Sequence, residues 1–244
     1  MLCFPECAST GFDWIFKPRV RQRPQAEPVP GPIVRLFAEK ANATDMYIIF
    51  GMVERPRGST KLYNTAFLVG PNEGYIGRYR KVFCEGRFAP GTEAEVFPTR
   101  YGPISIIICA DMRSPELVRL LAFKGARIIF QPTNYFHRGM TEQLARRRYQ
   151  GKIASQRSRA MENGICLVTA NGGRRDYVNN TRIVGPDMQG PEPVLAHATR
   201  KEQVVSAEIE IHSTVNSAVT AARECPWLFS QLGRIMIRAA GTAD

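Results

Sequence analysis

Residues 106–134, IIICADMRSPELVRLLAFKGARIIFQPTN, decide the fold. The run that leads into them, PISIIICA (103–110), is almost continuously apolar, as expected of a strand covered on both faces. Ser114 can cap a helix with Pro115 at its first position, and Leu117, Leu120, Leu121 and Lys124 then mark a helical face that Gly125 ends. A second strand follows at RIIFQP (127–132). Cys109 thus stands at a corner where a buried strand ends and a capped helix is about to begin. Such a corner exposes a side chain at the sheet's carboxyl edge and aims backbone N–H groups at it. A thiol there needs a base or a positive neighbour to become a good nucleophile. Without one, a strand-end cysteine is ordinarily a core residue.

Strand and helix signals alternate on either side. MYIIFGMV (46–53) is β-rich, and LYNTAFLVG (62–70) and YIGRYRK (75–81) flank the turn PNEG as a hairpin. ICLVTAN (165–171) and TRIVG (181–185) add two strands. EQVVSAEIEI (202–211) carries Val205, Ala207, Ile209 and Ile211 in period two, which predicts a strand with one buried face. Ile33, Leu36, Phe37 and Lys40 predict a helix behind Pro32, and a longer helix is expected from about Thr141 to Asn163. The stretch 17–32 reads as a surface loop. The apolar C-terminal segment 226–244 reads as a tail helix that packs on a partner. The sum is a mixed β-sheet protein of α/β class with helices covering the sheet faces.

Composition narrows the function classes. The formal net charge is +11, with basic clusters at KPRVRQR (17–23) and RRRYQGKIASQRSR (146–159). No zinc-finger spacing, aromatic RNA-binding strand or recognition helix accompanies them, so a solvated basic face is expected and no nucleic acid. No stretch reaches the roughly 20 apolar residues of a membrane helix, and the opening MLCFP is too short for a secretory leader. The six cysteines contain no CxxC pair, which points to reduced thiols and a cytoplasmic setting. His137, His197 and His212 have no metal-ligand spacing, and no glycine pattern forms a phosphate cradle, so neither metal nor cofactor is expected.

Four segments go further than patterning can. FPECASTGF (4–12), YRKVFCEGRFAPGTE (79–93), the nucleophile segment 106–134 and SRAMENGICLVTANGG (158–173) come in the order, and carry the words, of the nitrilase superfamily of carbon–nitrogen hydrolases. The chain resembles that superfamily over almost its whole length, in its amidase- and carbamoylase-like branch. The resemblance implies a four-layer α-β-β-α sandwich in a single domain, residues 1–244. It implies Cys109 as nucleophile, Glu6 as general base, and Lys81 with the backbone N–H of Ala110 as oxyanion stabilisers. Glu85, separated from Lys81 by the three residues Val82, Phe83 and Cys84, resembles the second glutamate of aliphatic amidases. Asn134, Tyr135 and His137 fall where relatives place substrate contacts, and Arg159 and Glu162 are expected to pair around the nucleophile strand. Met1 falls inside the strand that leads into the first segment, three residues before Phe4, so a shortened form lacking the family's first strand and helix is expected. The implied substrate is a small linear amide or N-carbamoyl compound, the implied assembly a homodimer or larger homo-oligomer. A nitrilase, a non-catalytic truncated homologue and a basic-surface binder are the rival expectations.

Overall fold

A computed structural model describes residues 1–11, 26–84, 86–137, 139–172, 180–186, 194–199, 202–211 and 217–241. Two sheets form. The first has the order β1 (Leu2–Cys3), β2 (Ile48–Glu54), β3 (Tyr63–Gly70), β4 (Gly74–Arg80). The second has the order β10 (Val194–His197), β9 (Arg182–Val184), β8 (Cys166–Asn171), β7 (Ile128–Thr133), β6 (Ile104–Ile106), β5 (Val96–Phe97). β6, β7 and β8 run parallel, and β5, β9 and β10 are antiparallel to their neighbours.

The pleat of these strands creates the layers. Successive side chains point to opposite faces. Ile49, Ala66, Leu68 and Tyr79 of the first sheet therefore meet Ile104, Ile106, Ile128, Phe130, Cys166 and Ile183 of the second in one core between the sheets. The alternate residues face outward. Ile48, Phe50, Met52, Phe67 and Val69 pack under α1 (Pro32–Thr44). Ile107, Ile129, Leu167 and Val184 pack with Leu117, Val118, Leu121 and Ala122 of α2 (Pro115–Phe123) and Ala160 of α3 (Glu142–Asn163). The result is a four-layer α-β-β-α sandwich, and the continuous apolar runs of the sequence are strands covered on both faces.

The helix signals act at the positions read from the sequence. Ser114 Oγ accepts from Leu117 N, Pro115 opens α2, and Gly125 follows with φ 101°. Thr141 caps α3, and Gly164 closes it in the left-handed conformation. Two faces differ from expectation. Leu120 is 45% exposed and Leu36 is 52% exposed, because α2 and α1 lie on their sheets through Val118 and Ala122, and through Val34 and Ala41.

The segment 202–211 forms no strand. Its alternation is real: Val205, Ala207, Ile209 and Ile211 turn toward the inter-sheet core while their neighbours face outward. It lines a cavity of about 550 Å³ bounded also by residues 1–5 and by β7–β9. Beyond it lie α4 (Ser217–Glu224) and α5 (Pro226–Gly241); α5 buries no residue, and Phe229 packs edge-on against Phe123 of α2. The basic segment 17–23 lies outside the described residues. No described helix is long and apolar enough to cross a membrane.

Candidate active site

The strand ends of both sheets deliver side chains to one place: Glu6 after β1, Lys81 after β4, Cys109 after β6 and Asn134 after β7. Glu6 and Lys81 form an ion pair of 2.9 Å between side chains 0% and 1% exposed. Burying two charges costs several kcal/mol each before their attraction is counted, and the pair holds when further hydrogen bonds satisfy it. Asn64 Nδ2 supplies one, donating to the same Glu6 Oε1 at 2.7 Å, while Cys7 Sγ donates to Asn64 Oδ1 at 3.5 Å. Asn134 Nδ2 donates to the Glu6 carbonyl, tying the end of β7 to the end of β1.

Each backbone is pinned. Lys81 N donates to Asn64 O at 2.8 Å, and its carbonyl accepts from Gly91 N at 2.8 Å. Glu54, buried in β2, accepts from Arg78 at 2.9 Å and Arg80 at 2.6 Å, which fixes the end of β4 just before Lys81. Gly51 lies under the glutamate, where a Cβ would meet Cys7 N at 2.5 Å and Glu6 Cα at 3.2 Å.

Cys109 opens a short 3₁₀ turn, Cys109–Arg113, with φ 45°, a left-handed conformation that costs an L-residue of order 1–3 kcal/mol and persists when its surroundings over-determine it. Asp111 is one such determinant. Its Oδ2 accepts from Ile108 N at 3.0 Å and Tyr79 OH at 2.8 Å; its Oδ1 accepts from Phe83 N at 2.8 Å and Val82 N at 3.2 Å. One buried carboxylate thus joins the nucleophile turn to the loop after Lys81. The Cys109 carbonyl is the second determinant, accepting from Gln131 Nε2 at 3.0 Å and Tyr135 OH at 3.2 Å.

The thiol feels both charges. Burial pushes Cys109 up to about 12, and the negative charge of Glu6 adds to the rise; Lys81, the Thr133 hydroxyl and the Asn134 N–H pull it down. At neutral pH it is a protonated thiol next to a carboxylate. That arrangement suits proton transfer coupled to attack on an electrophile, not a standing thiolate.

The other expected residues sit as follows. Asn134 is buried and touches Glu6. Tyr135 is held by Asn171, which accepts from Tyr135 N at 2.7 Å, and the ammonium of Lys152 lies 3.3 Å from its ring centroid. His137 is half-buried in a turn closed by Met140 N to its carbonyl at 2.9 Å; its described contacts do not bring it to the thiol. Glu85 lies outside the described residues. Arg159 and Glu162 pair at 3.1 Å within α3, and Arg119 of α2 donates to the Glu162 carbonyl at 3.1 Å. Among the described residues no group of His, Cys, Asp and Glu could hold a metal ion. Sequence inspection missed Asn64, Asp111, Gln131, Asn171 and Lys152. A signal existed for three of them: Asn64, Gln131 and Asn171 are polar residues inside apolar strand runs, and buried polar groups need partners.

Comparisons with known proteins identify the family. A family model, carbon-nitrogen hydrolase, matches residues 1–217. A nitrilase of Pyrococcus abyssi is 30% identical over 233 residues, covering 90% of this chain and 80% of that protein. The human omega-amidase NIT2 is 28% identical over 229 residues, covering 86% of this chain and 76% of its own. Among solved structures, Saccharomyces cerevisiae Nit3 superposes with a TM-score of 0.70 at 21% identity, over 92% of this chain and 80% of that one. An amidase from Nesterenkonia sp. gives 0.67 at 21% identity, over 93% and 82%. The chain belongs to the carbon–nitrogen hydrolase family of the nitrilase superfamily.

Proposed function

We propose that this chain hydrolyses a non-peptide C–N bond in a small linear amide or N-carbamoyl compound through a thioester on Cys109. The observation that carries the proposal is the buried Glu6–Lys81 pair, 2.9 Å apart, acting on a neutral thiol at a strained turn. Glu6 takes the thiol proton as Cys109 Sγ attacks the amide carbon. Lys81 and the Ala110 N–H stabilise the oxyanion that develops. Glu6 then protonates the departing nitrogen, so ammonia or an amine leaves, and later takes a proton from the water that cleaves the thioester. Glu85 is the proposed fourth catalytic residue, and Asn134, Tyr135 and His137 the proposed lining of the substrate pocket.

The omega-amidases among the relatives support the amide side of the choice. The nitrilase of Pyrococcus abyssi supports the rival, a nitrile attacked by the same three residues. α5 exposes Leu228, Leu232 and Ile235 on one side, which supports a homodimer or larger homo-oligomer. Six free thiols suit a reducing, cytoplasmic setting.

The test is ammonia release from a panel of linear amides with and without a terminal carboxylate, N-carbamoyl amino acids and nitriles. Turnover that disappears in Cys109→Ala is expected. An absence of turnover across the panel, with Cys109 unmodified by every compound in intact-mass spectra, refutes the proposal.

A further inference from the structure

We infer that Gln131 is a positioning residue that aims the oxyanion donor, acting through the Cys109 carbonyl; the inference rests on the thioester chemistry proposed above. A peptide unit is planar and trans, so its C=O and N–H point to opposite sides. The carbonyl of Cys109 and the N–H of Ala110 belong to one such unit. Whatever holds the oxygen on one side therefore sets the direction of the N–H on the other. The oxygen is held by Gln131 Nε2 at 3.0 Å and Tyr135 OH at 3.2 Å. The unit needs holding, because Cys109 has φ 45° and relaxation of that angle would swing the N–H away.

Gln131 can do this only if its amide faces one way. Flipped, it would set oxygen against oxygen. The far end of the side chain fixes the choice: Gln131 Oε1 accepts from Thr169 Oγ1 at 2.8 Å, and Thr169 Oγ1 accepts in turn from Gln156 Nε2 at 3.0 Å. Gln131, Thr169 and Gln156 are 0%, 1% and 1% exposed, so water does not compete for these bonds. Cross-strand pairing of Gln131 with Thr169 sets the two on one face of the sheet, and Gln156 reaches them from α3. The chain of bonds runs from α3 across β8 and β7 to the nucleophile turn. A buried polar network satisfied along its length rigidifies the groups it joins, and here one of its ends is the nucleophile turn.

The test compares two reactions of Cys109. p-Nitrophenyl acetate acylates the thiol: the S–C bond forms, the C–O bond to p-nitrophenolate breaks, the thiol proton passes to Glu6, and negative charge develops on the carbonyl oxygen between. Methyl methanethiosulfonate is attacked at sulfur and expels methanesulfinate, with no carbonyl oxyanion. Acylation is read as pre-steady-state p-nitrophenolate release that Cys109→Ala abolishes, since the thioester itself turns over, and thiolation by peptide mass spectrometry at Cys109. Both are compared in the parent, in Gln131→Met, which keeps the size and loses the donor, and in Thr169→Val, which removes the shorter of the two bonds that orient the amide and leaves Gln156 Nε2 to Gln131 Oε1 at 3.4 Å. In each variant acylation should fall relative to thiolation, by roughly tenfold or more for Gln131→Met, since one oxyanion donor is worth 10²–10³-fold. A general loosening of the site would slow both reactions together. An unchanged ratio in both variants overturns the inference while leaving the thioester chemistry intact. A parent whose Cys109 is thiolated and never acylated overturns the proposed function and the inference with it.

Discussion

Lys81→Met tests the ion pair at the centre of the site. The substitution keeps most of the side-chain volume and removes the charge, leaving Glu6 buried at 0% side-chain exposure. At an effective dielectric of about 20, two charges 2.9 Å apart attract by about 6 kcal/mol. Desolvation of both groups offsets most of that attraction in the parent. In the variant the carboxylate keeps its desolvation cost and loses its partner, so breaking the pair from one side should cost about 3–5 kcal/mol. For a chain of this length that is a melting temperature lower by roughly 6–20 °C. Glu6→Gln should cost a comparable amount by stranding the ammonium. The double variant Glu6→Gln/Lys81→Met leaves no buried charge and should recover most of the loss. Urea denaturation of the four proteins at pH 7 closes the cycle, and a double variant whose loss equals the sum of the singles would refute a direct buried pair. Activity separates from stability here. All three variants should lose turnover by about 10²-fold or more, because the double restores the fold without restoring the proton acceptor or the cation.

Asp111→Asn should lower stability by roughly 2–4 kcal/mol and reduce turnover, since an amide NH₂ would face either two loop N–H donors or the Ile108 N–H and Tyr79 hydroxyl; an unchanged urea midpoint would contradict the bonding described. Gly51→Ala would drive a methyl into the Cys7 N–H and Glu6 backbone, which must shift, so melting temperature and kcat should both fall, and a variant with parental kcat would show that Glu6 tolerates displacement. Cys109 and Cys166 are both held up to about 12 by burial, so the folded state favours their protonated forms. That stabilisation is complete below the ordinary thiol pKa near 9 and is lost as pH rises from there toward 12, by up to about 1.4 kcal/mol per pH unit per thiol. Urea midpoints should therefore fall between pH 9 and 11, and Cys166→Ala should flatten the slope; a slope unchanged by that substitution would count against its burial.

Most of the fold was legible because it is written in periodicity and capping, which are local. Ser114–Pro115, Thr141 and Gly164 mark helix ends through bonds made within a turn of each residue. The continuous apolar run at 103–110 announced coverage on both faces, and the first sheet provides it on one side and α2 with α3 on the other. The error at 202–211 has the same origin. Alternating burial requires only that an extended segment lie on a core, whereas a strand also requires a partner with a free edge, and no local signal reports one. Leu36 and Leu120 were misplaced for a related reason: 3.6-residue spacing admits more than one stripe, and the surface the helix lies on selects between them.

The site divides along the same line. Glu6, Lys81 and Cys109 were legible because each sits in a motif of contiguous residues. Their supports, Asn64 for Glu6, Asp111 for the turn and Gln131 for the Cys109 carbonyl, act across 58, 3 and 22 positions. Only the middle span is short; Asp111 and Gln131 both stood inside the quoted nucleophile segment 106–134, and Asn64 in none of the four. Long-range partners leave one trace in a sequence: a polar residue where the pattern calls for an apolar one. In a strand buried on both faces such a residue loses its water, and an unsatisfied amide there costs about 1–3 kcal/mol. Gln131 in IIFQP and Thr169 in ICLVTAN each break an apolar run, lie opposite one another in the ladder, and satisfy each other. Two polar interruptions in neighbouring strands downstream of a candidate nucleophile are therefore a sign of internal support, and the strain at Cys109 shows what is being supported.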